Sequence, residues 1–235
     1  MIEAFVTNLG RYNEGHLIGE YLKFPSTTQD VQELFKRIGV DGVRYEEIFI
    51  TDYKTAIPAL RDYLGESESL DELNYLASLL EDLPEWETEK FAAALELGEF
   101  NSVKDLINLS ENLDCYAFID GITSEEDLGR YYIEELGAME IPDHLQSYID
   151  YEAYGRDVCI NENGLFVNNG YVLRTEDSFR EFYSGRNDLP EQHRIFAYPK
   201  SEKASIRDTL KQYQKKLENE PSPGKDRPSS TIEDR

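Results

Sequence analysis

Apolar positions along this chain change rhythm three times. Near the N-terminus, Glu3–Thr7 and Leu17–Leu22 are short runs that predict strands, and Tyr45–Tyr53 (YEEIFITDY) is rich in β-formers and predicts a third. Between them Val31, Leu34, Phe35 and Ile38 recur at helical spacing, with Thr28 as cap and Gly39 as stop. From residue 54 to 111 the spacing is helical throughout. Ser69 and Glu72 have the form of a capping box ahead of Leu70, Leu73, Leu76, Ala77 and Leu80. Pro84 suits a first helical position, Phe91, Ala94 and Leu95 form the apolar face of the helix it opens, and Gly98 suits the end. Val103, Leu106 and Ile107 mark a short third helix.

Residues 112–172 return to mixed structure. Cys115–Ile119 predicts a buried strand. Ser124 with Asp127 caps a helix carrying Leu128, Tyr131, Tyr132 and Leu136 up to Gly137. A further helix is predicted from Pro142 through Tyr148, Ile149 and Tyr154 to about Gly155. Val158–Ile160 and Leu165–Val167 predict short strands, and Asn168-Asn169-Gly170 has hairpin chemistry with Tyr171–Leu173 as the return. Beyond that, Thr175–Tyr183 predicts a helix, and Ser205–Leu217 a basic amphipathic one with Ile206, Leu210, Tyr213 and Leu217 on one stripe. The end, NEPSPGKDRPSSTIEDR, has little to bury and predicts disorder. The expected fold is therefore α+β. Its segments are a β/α domain (1–61), an acidic helical domain (62–111), an α/β domain (112–173), an extension with a basic helix (174–218) and a disordered tail (219–235).

Charge changes this picture more than any motif. The 235 residues hold 48 Asp and Glu against 24 Lys and Arg, a net charge of −24. Residues 1–172 carry 36 acids and 11 bases, whereas residues 173–235 carry 12 and 13, so the imbalance belongs to the first three quarters. Between residues 62 and 127 there are 19 acids, and the only cations are Lys90 and Lys104. Such a field repels nucleic acid and attracts basic surfaces, which argues against direct DNA or RNA binding by this part. With 40% hydrophobic residues the chain has ample material for a core. The longest apolar runs are far short of the ~20 residues that cross a bilayer, and the start MIEAFVTNLG lacks the features of a signal peptide. The expectation is a cytoplasmic protein, with Cys115 and Cys159 as buried free thiols, although sequence leaves a disulfide open.

Catalytic and metal-binding patterns are missing. His16, His144 and His193 are isolated, and there is no C-x-x-C, H-E-x-x-H, G-x-S-x-G, Walker or dinucleotide signature. Among 48 carboxylates some pair lies close by chance, so no pair chosen from sequence argues for an enzyme. The expectation is a protein that is not an enzyme and uses neither cofactor nor metal. The acids could serve solubility or a saline habitat, but their mutual repulsion destabilises the compact state. A functional reading uses their spacing: carboxylates one helical turn apart stand ~5–6 Å from each other. Duplex DNA presents a negative charge every ~1.7 Å of axis. Rows of acidic helices therefore approach phosphate spacing, and phosphate contacts carry no direct sequence information.

Several blocks carry a resemblance: EAFVTNLGRYNEGHLIGEYLKFP (3–25), YEEIFITDY (45–53), LGESESLDELNYLASLLEDL (64–83) and EELGAMEIPDHLQSYIDYEAYGRDVCINENGLFVNNGYV (134–172), with YIDYEAYGRD at its centre. In that order they resemble the ArdA family of antirestriction proteins over about residues 1–172. The resemblance implies an inhibitor of Type I restriction–modification enzymes, carried by conjugative plasmids and transposons. It also implies an elongated chain of three small domains, and two chains joined through the third into an acidic rod shaped like bent DNA. The acids expected to form that surface are Asp62, Glu66, Glu68, Asp71, Glu72, Glu81, Asp82, Glu85, Glu87, Glu89, Glu96, Glu99, Asp105, Glu111, Asp114, Glu125, Glu126 and Asp127, some of which, such as Glu72, fit a helix cap better than the surface. Tyr131, Tyr132, Tyr148, Ile149, Tyr151 and Tyr154 are candidates for a homodimer interface or, equally, for core. The alternative function is a general acidic binder of basic DNA-binding proteins. Residues 174–235 depart from the family pattern and read as an idle extension, a module docked on the acidic body, or a site for another partner.

Overall fold

The computed structural model describes residues 2–199. In β1 (Ile2–Asn8), alternate residues Ile2, Ala4 and Val6 are fully buried, which makes it the central strand of a first sheet. It pairs antiparallel with β2 (Gly19–Phe24) on one side and β3 (Ile48–Thr55) on the other, with a register shift against β3 between Phe5 and Val6. A short helix, α1 (Leu9–Asn13), leaves β1, and Asn8 caps it through the Arg11 N–H. The helix α2 (Thr28–Ile38) lays its predicted stripe of Val31, Leu34, Phe35 and Ile38 on this sheet. Its cap lies one residue earlier than expected, at Thr27. There Thr27 and Asp30 exchange both bonds of a capping box, and Gly39 ends the helix at a φ of 75°.

Three helices follow: α3 (Leu70–Asp82), α4 (Glu85–Leu97) and α5 (Val103–Ser110), with Ser69, Pro84 and Ser102 at their N-caps. Pro84 thus stands just outside its helix rather than in its first turn. On α4, Ala93, Ala94, Phe91 and Leu95 are buried, and the small alanines let it lie close against a second sheet. That sheet has the order β4-β6-β5, formed by β4 (Tyr116–Asp120), β5 (Leu165–Val167) and β6 (Gly170–Arg174), all antiparallel. The Asn168–Asn169 turn joins β5 to β6 as its chemistry predicts. One continuous buried cluster runs from Ile2 and Val6 through Leu73, Leu76, Phe91 and Leu106 to Tyr116 and Val172, and on to Ile195. Each of those buried side chains contributes roughly 1.5–3 kcal/mol.

Between β4 and β5 lie α6 (Glu125–Arg130), which widens into a π-helical turn over Tyr131–Glu135, and α7 (Tyr151–Glu162). The two helices cross at Gly129 and Gly155, and these glycines make the crossing possible. A methyl group on Gly129 would lie 1.9 Å from the Tyr151 carbonyl oxygen, and one on Gly155 would lie 1.8 Å from that of Glu125. Here the expectation of one helix from Pro142 to Gly155 fails. A 3-10 segment spans Asp143–Tyr148, the chain is extended at Ile149, and Asp150 caps α7 by accepting from the Ala153 N–H. The predicted strand Val158–Ile160 is also helix: its β-branched residues lie inside α7, which runs on until Asn163 closes it in the left-handed conformation.

The segment after β6 corrects a third expectation. Thr175–Tyr183 is not helical. The Thr175 N–H donates to the Cys115 carbonyl, and the N–H groups of Arg180, Phe182 and Tyr183 donate to asparagines of the α5 region instead of to carbonyls four residues back. Residues 175–199 form an irregular strap over the body, burying Tyr183, Leu189 and Ile195. The predicted helix 205–217 and the predicted tail 219–235 lie outside the described residues. Cys115 is buried and Cys159 partly so, and both thiols are free. No helix among the described residues is long and apolar enough to cross a membrane.

Candidate functional site

Helix geometry distributes the predicted acids unevenly. Asp62, Glu66, Glu81, Asp82, Glu85, Glu89, Glu96, Glu99, Glu111, Asp114 and Glu126 are exposed, and Glu68, Asp71, Glu87, Asp105, Glu125 and Asp127 are half-buried. Glu72 is buried. Amphipathicity explains the split: α3 and α4 bury leucines, alanines and Phe91, leaving the acids at the turn between them on the outside.

The acids also divide by what they do within the fold. Asp105 and Asp127 accept from Ser102 and Ser124 at the starts of their helices. That hydroxyl bond, reinforced by Thr123 against the opposing effect of burial, holds the Asp127 carboxyl below its ordinary range. Glu68 accepts from the Gly65 N–H. Glu125 and Glu126 pair with Arg156 and Arg130. Asp71 accepts the N–H groups of Ile195 and Phe196, each at 2.7 Å. The Glu72 side chain, 8% exposed, takes the Tyr183 hydroxyl on one oxygen at 3.1 Å and the Arg186 guanidinium on the other at 2.8 Å. Burial, then the Glu72 charge, pushes the Tyr183 phenol up, so it donates at any physiological pH.

Asp62, Glu66, Glu81, Asp82, Glu85, Glu87, Glu89, Glu96, Glu99, Glu111 and Asp114 form no ion pair with a described Lys or Arg. Five of them bracket the junction of α3 and α4, with Trp86, 61% exposed, among them. Glu89 and Glu96 border a groove of about 340 Å³ between Ala56–Ala59 and the β5–β6 turn at Asn168 and Asn169. Besides burial, the charges of Asp62 and Glu96 push the Tyr63 phenol up, so the two acids act on one place. Lys104, one of two cations in this stretch, is already engaged with Glu181. Among the described residues, the arrangement supplies a surface of carboxylates without ion-pair partners. Among the described residues, no group of three or more His, Cys, Asp or Glu is placed to hold a metal ion.

The candidate interface residues separate too. Tyr151 is buried under Arg130 and donates to Glu134 at 2.6 Å, and the half-buried Tyr132 donates to Glu162 at 2.6 Å. Tyr131 packs edge-on against Tyr132, with Ile149 and Tyr154 half-buried. Tyr148 is 81% exposed, and Leu136, Met139, Leu145 and Ile160 are exposed on the same stretch of chain.

Sequence reasoning missed the residues that hold the strap, above all Asn108 and Asn112. Their signal was available: two amides four positions apart on a stripe otherwise made of leucine and isoleucine. The strap also carries His193, whose ring lies 4.7 Å from that of Tyr75. Burial holds its imidazole below the ordinary value of 6.5. The folded state thus favours the neutral ring, and the stability this adds is present above pH ~6.5 and lost as pH falls through the folded pKa.

The family model described as Antirestriction protein (ArdA) matches residues 4–173, which leaves the strap outside it. No curated protein matches the chain.

Proposed function

The chain belongs to the ArdA antirestriction family, and from that premise we propose that it inhibits Type I restriction–modification enzymes by occupying their DNA-binding groove as a mimic of duplex DNA. The observation that carries this reading is the set of eleven acids between Asp62 and Asp114 that pair with no described Lys or Arg. A soluble domain manages with a small net charge, and a surplus of this size costs stability through mutual repulsion. Their uncompensated charge suits a groove lined with Lys and Arg, and a mimic of phosphates inhibits enzymes that read different sequences. The third segment, 112–173, offers its exposed Tyr148, Leu136, Met139, Leu145 and Ile160 for self-association, and a homodimer extends the acidic surface. We take the division into segments 1–61, 62–111 and 112–173 as the functional one. On this reading the protein acts in the cytoplasm, without catalysis or cofactor, on incoming mobile DNA's behalf.

Competition tests it. Purified protein is expected to displace labelled duplex DNA from a Type I enzyme, less well at higher ionic strength, and to leave a histone-like basic protein on DNA at the same concentration. Undiminished DNA binding by the enzyme at saturating protein contradicts the proposal. Equal displacement from the basic protein favours a general acidic binder.

A further inference from the structure

Beyond the family match, the strap is gripped by its main chain. Asn112 receives the Arg180 N–H and donates to the Arg180 carbonyl, both at 2.8 Å. Asn108, one helical turn away, receives the Tyr183 N–H at 2.9 Å and donates to the Tyr183 carbonyl at 2.8 Å. It also accepts the Phe182 N–H at 2.7 Å. Both amides are almost wholly buried, 3% and 2% exposed. On α3, Asp71 takes the N–H groups of Ile195 and Phe196, as described, and Asn74 donates to the His193 carbonyl at 3.4 Å. Amide side chains that satisfy both the donor and the acceptor of one residue do what a neighbouring β-strand does, and they do it for any side chain that residue bears. Polar side-chain selection comes from Glu72: Tyr183 lies edge-on to Tyr75 with its hydroxyl on one Glu72 oxygen, and Arg186 takes the other, while Leu189 and Ile195 add buried apolar side chains.

All of these gripping residues belong to the part of the chain that matches the family model, and the strap they hold lies outside it. We propose that the face formed by α3 and the α5 region is a binding site for an extended polypeptide. Residues 178–196 are its tethered occupant, and a peptide bearing a tyrosine and, three positions on, an arginine replaces them in trans. Main-chain capture supplies the affinity, and the Glu72 carboxylate with the Tyr75 ring supplies the selection. None of the gripping side chains is among the eleven acids assigned to DNA mimicry, so peptide exchange and DNA competition are read separately.

The test uses the full chain with a protease site inserted between Asp177 and Ser178, which are exposed. After cleavage, the fragment beginning at Ser178 is expected to stay associated. A synthetic peptide of residues 178–196 in excess is expected to exchange in and release it. The same peptide with Tyr183→Ala and Arg186→Ala is expected to bind at least about tenfold more weakly, as is the parent peptide to a body carrying Asn112→Ala. The altered peptide leaves the body untouched, so the test survives if Asn112→Ala fails to fold. Release of the fragment on cleavage with no binding of the added peptide overturns the proposal. So does loss of the body's circular dichroism when the fragment leaves, because the strap is then a piece of the core and not a ligand.

Discussion

Gly155→Ala is expected to lower the melting temperature by roughly 6–12 °C. The added carbon would sit 1.8 Å from the Glu125 carbonyl oxygen and 2.7 Å from the Gly129 nitrogen. Both are backbone atoms within helices, so no side chain can swing away. Relief requires α6 and α7 to separate, which loosens Leu128, Ile133 and Tyr151 together. Overpacking of this kind costs about 1–3 kcal/mol or more, and ~3 kcal/mol corresponds to that shift for a chain of this size. The exposed Asp157→Ala on the same helix serves as control and is expected to stay within about 0.5 kcal/mol. Thermal unfolding followed by circular dichroism decides it, and a Gly155→Ala melting curve superposing on the parent contradicts the close crossing.

Neutralising Glu81, Asp82, Glu85, Glu87, Glu89 and Glu96 together, as Gln or Asn, is expected to weaken inhibition of a Type I enzyme on the order of a thousandfold. Each exposed charge contact is worth up to about 1 kcal/mol, and about 4 kcal/mol is three decades of affinity. Fold stability is expected to change little, because none of the six forms an ion pair with a described residue. Glu85 and Glu87 lie in the first turn of α4, where negative charge is favourable, while Glu81 and Asp82 lie at the end of α3, where it is not. The two effects oppose, and less repulsion is left among the acids. Titration of restriction activity, with the melting temperature measured in parallel, separates lost recognition from lost structure. A variant that folds and inhibits as well as the parent would show that these acids are not what the enzyme binds.

Which parts of this molecule its sequence announced follows from how local each cause is. The stripe of α2, the serine caps of α3 and α6 and the Asn168–Asn169 turn depend on neighbours within a few residues, and they appear where expected. The Glu72 half of the predicted capping box does not form, because Tyr183 and Arg186 take that carboxylate. The errors arise where distant parts decide. Val158 and Ile160 favour strand by propensity, yet α7 continues through them because Gly129 and Gly155 clamp it to α6. Thr175–Tyr183 forgoes helix because Asn108 and Asn112, some seventy residues earlier, take its N–H groups. The site behaves alike. Net charge and its placement were legible as soon as acids were counted, but which acids remain free was not. Asp71 looks no different in sequence from Glu81 and Asp82, and Glu72 is marked there only as a cap, whereas the strap's return engages both.

A structure of the protein bound to a Type I enzyme measures the central claim most directly. Glu81, Asp82, Glu85, Glu87, Glu89 and Glu96 are expected to lie within hydrogen-bonding reach of the Lys and Arg side chains that hold DNA phosphates in the same enzyme's substrate complex. A chain seated elsewhere, with the DNA groove open and those carboxylates facing solvent, would contradict it.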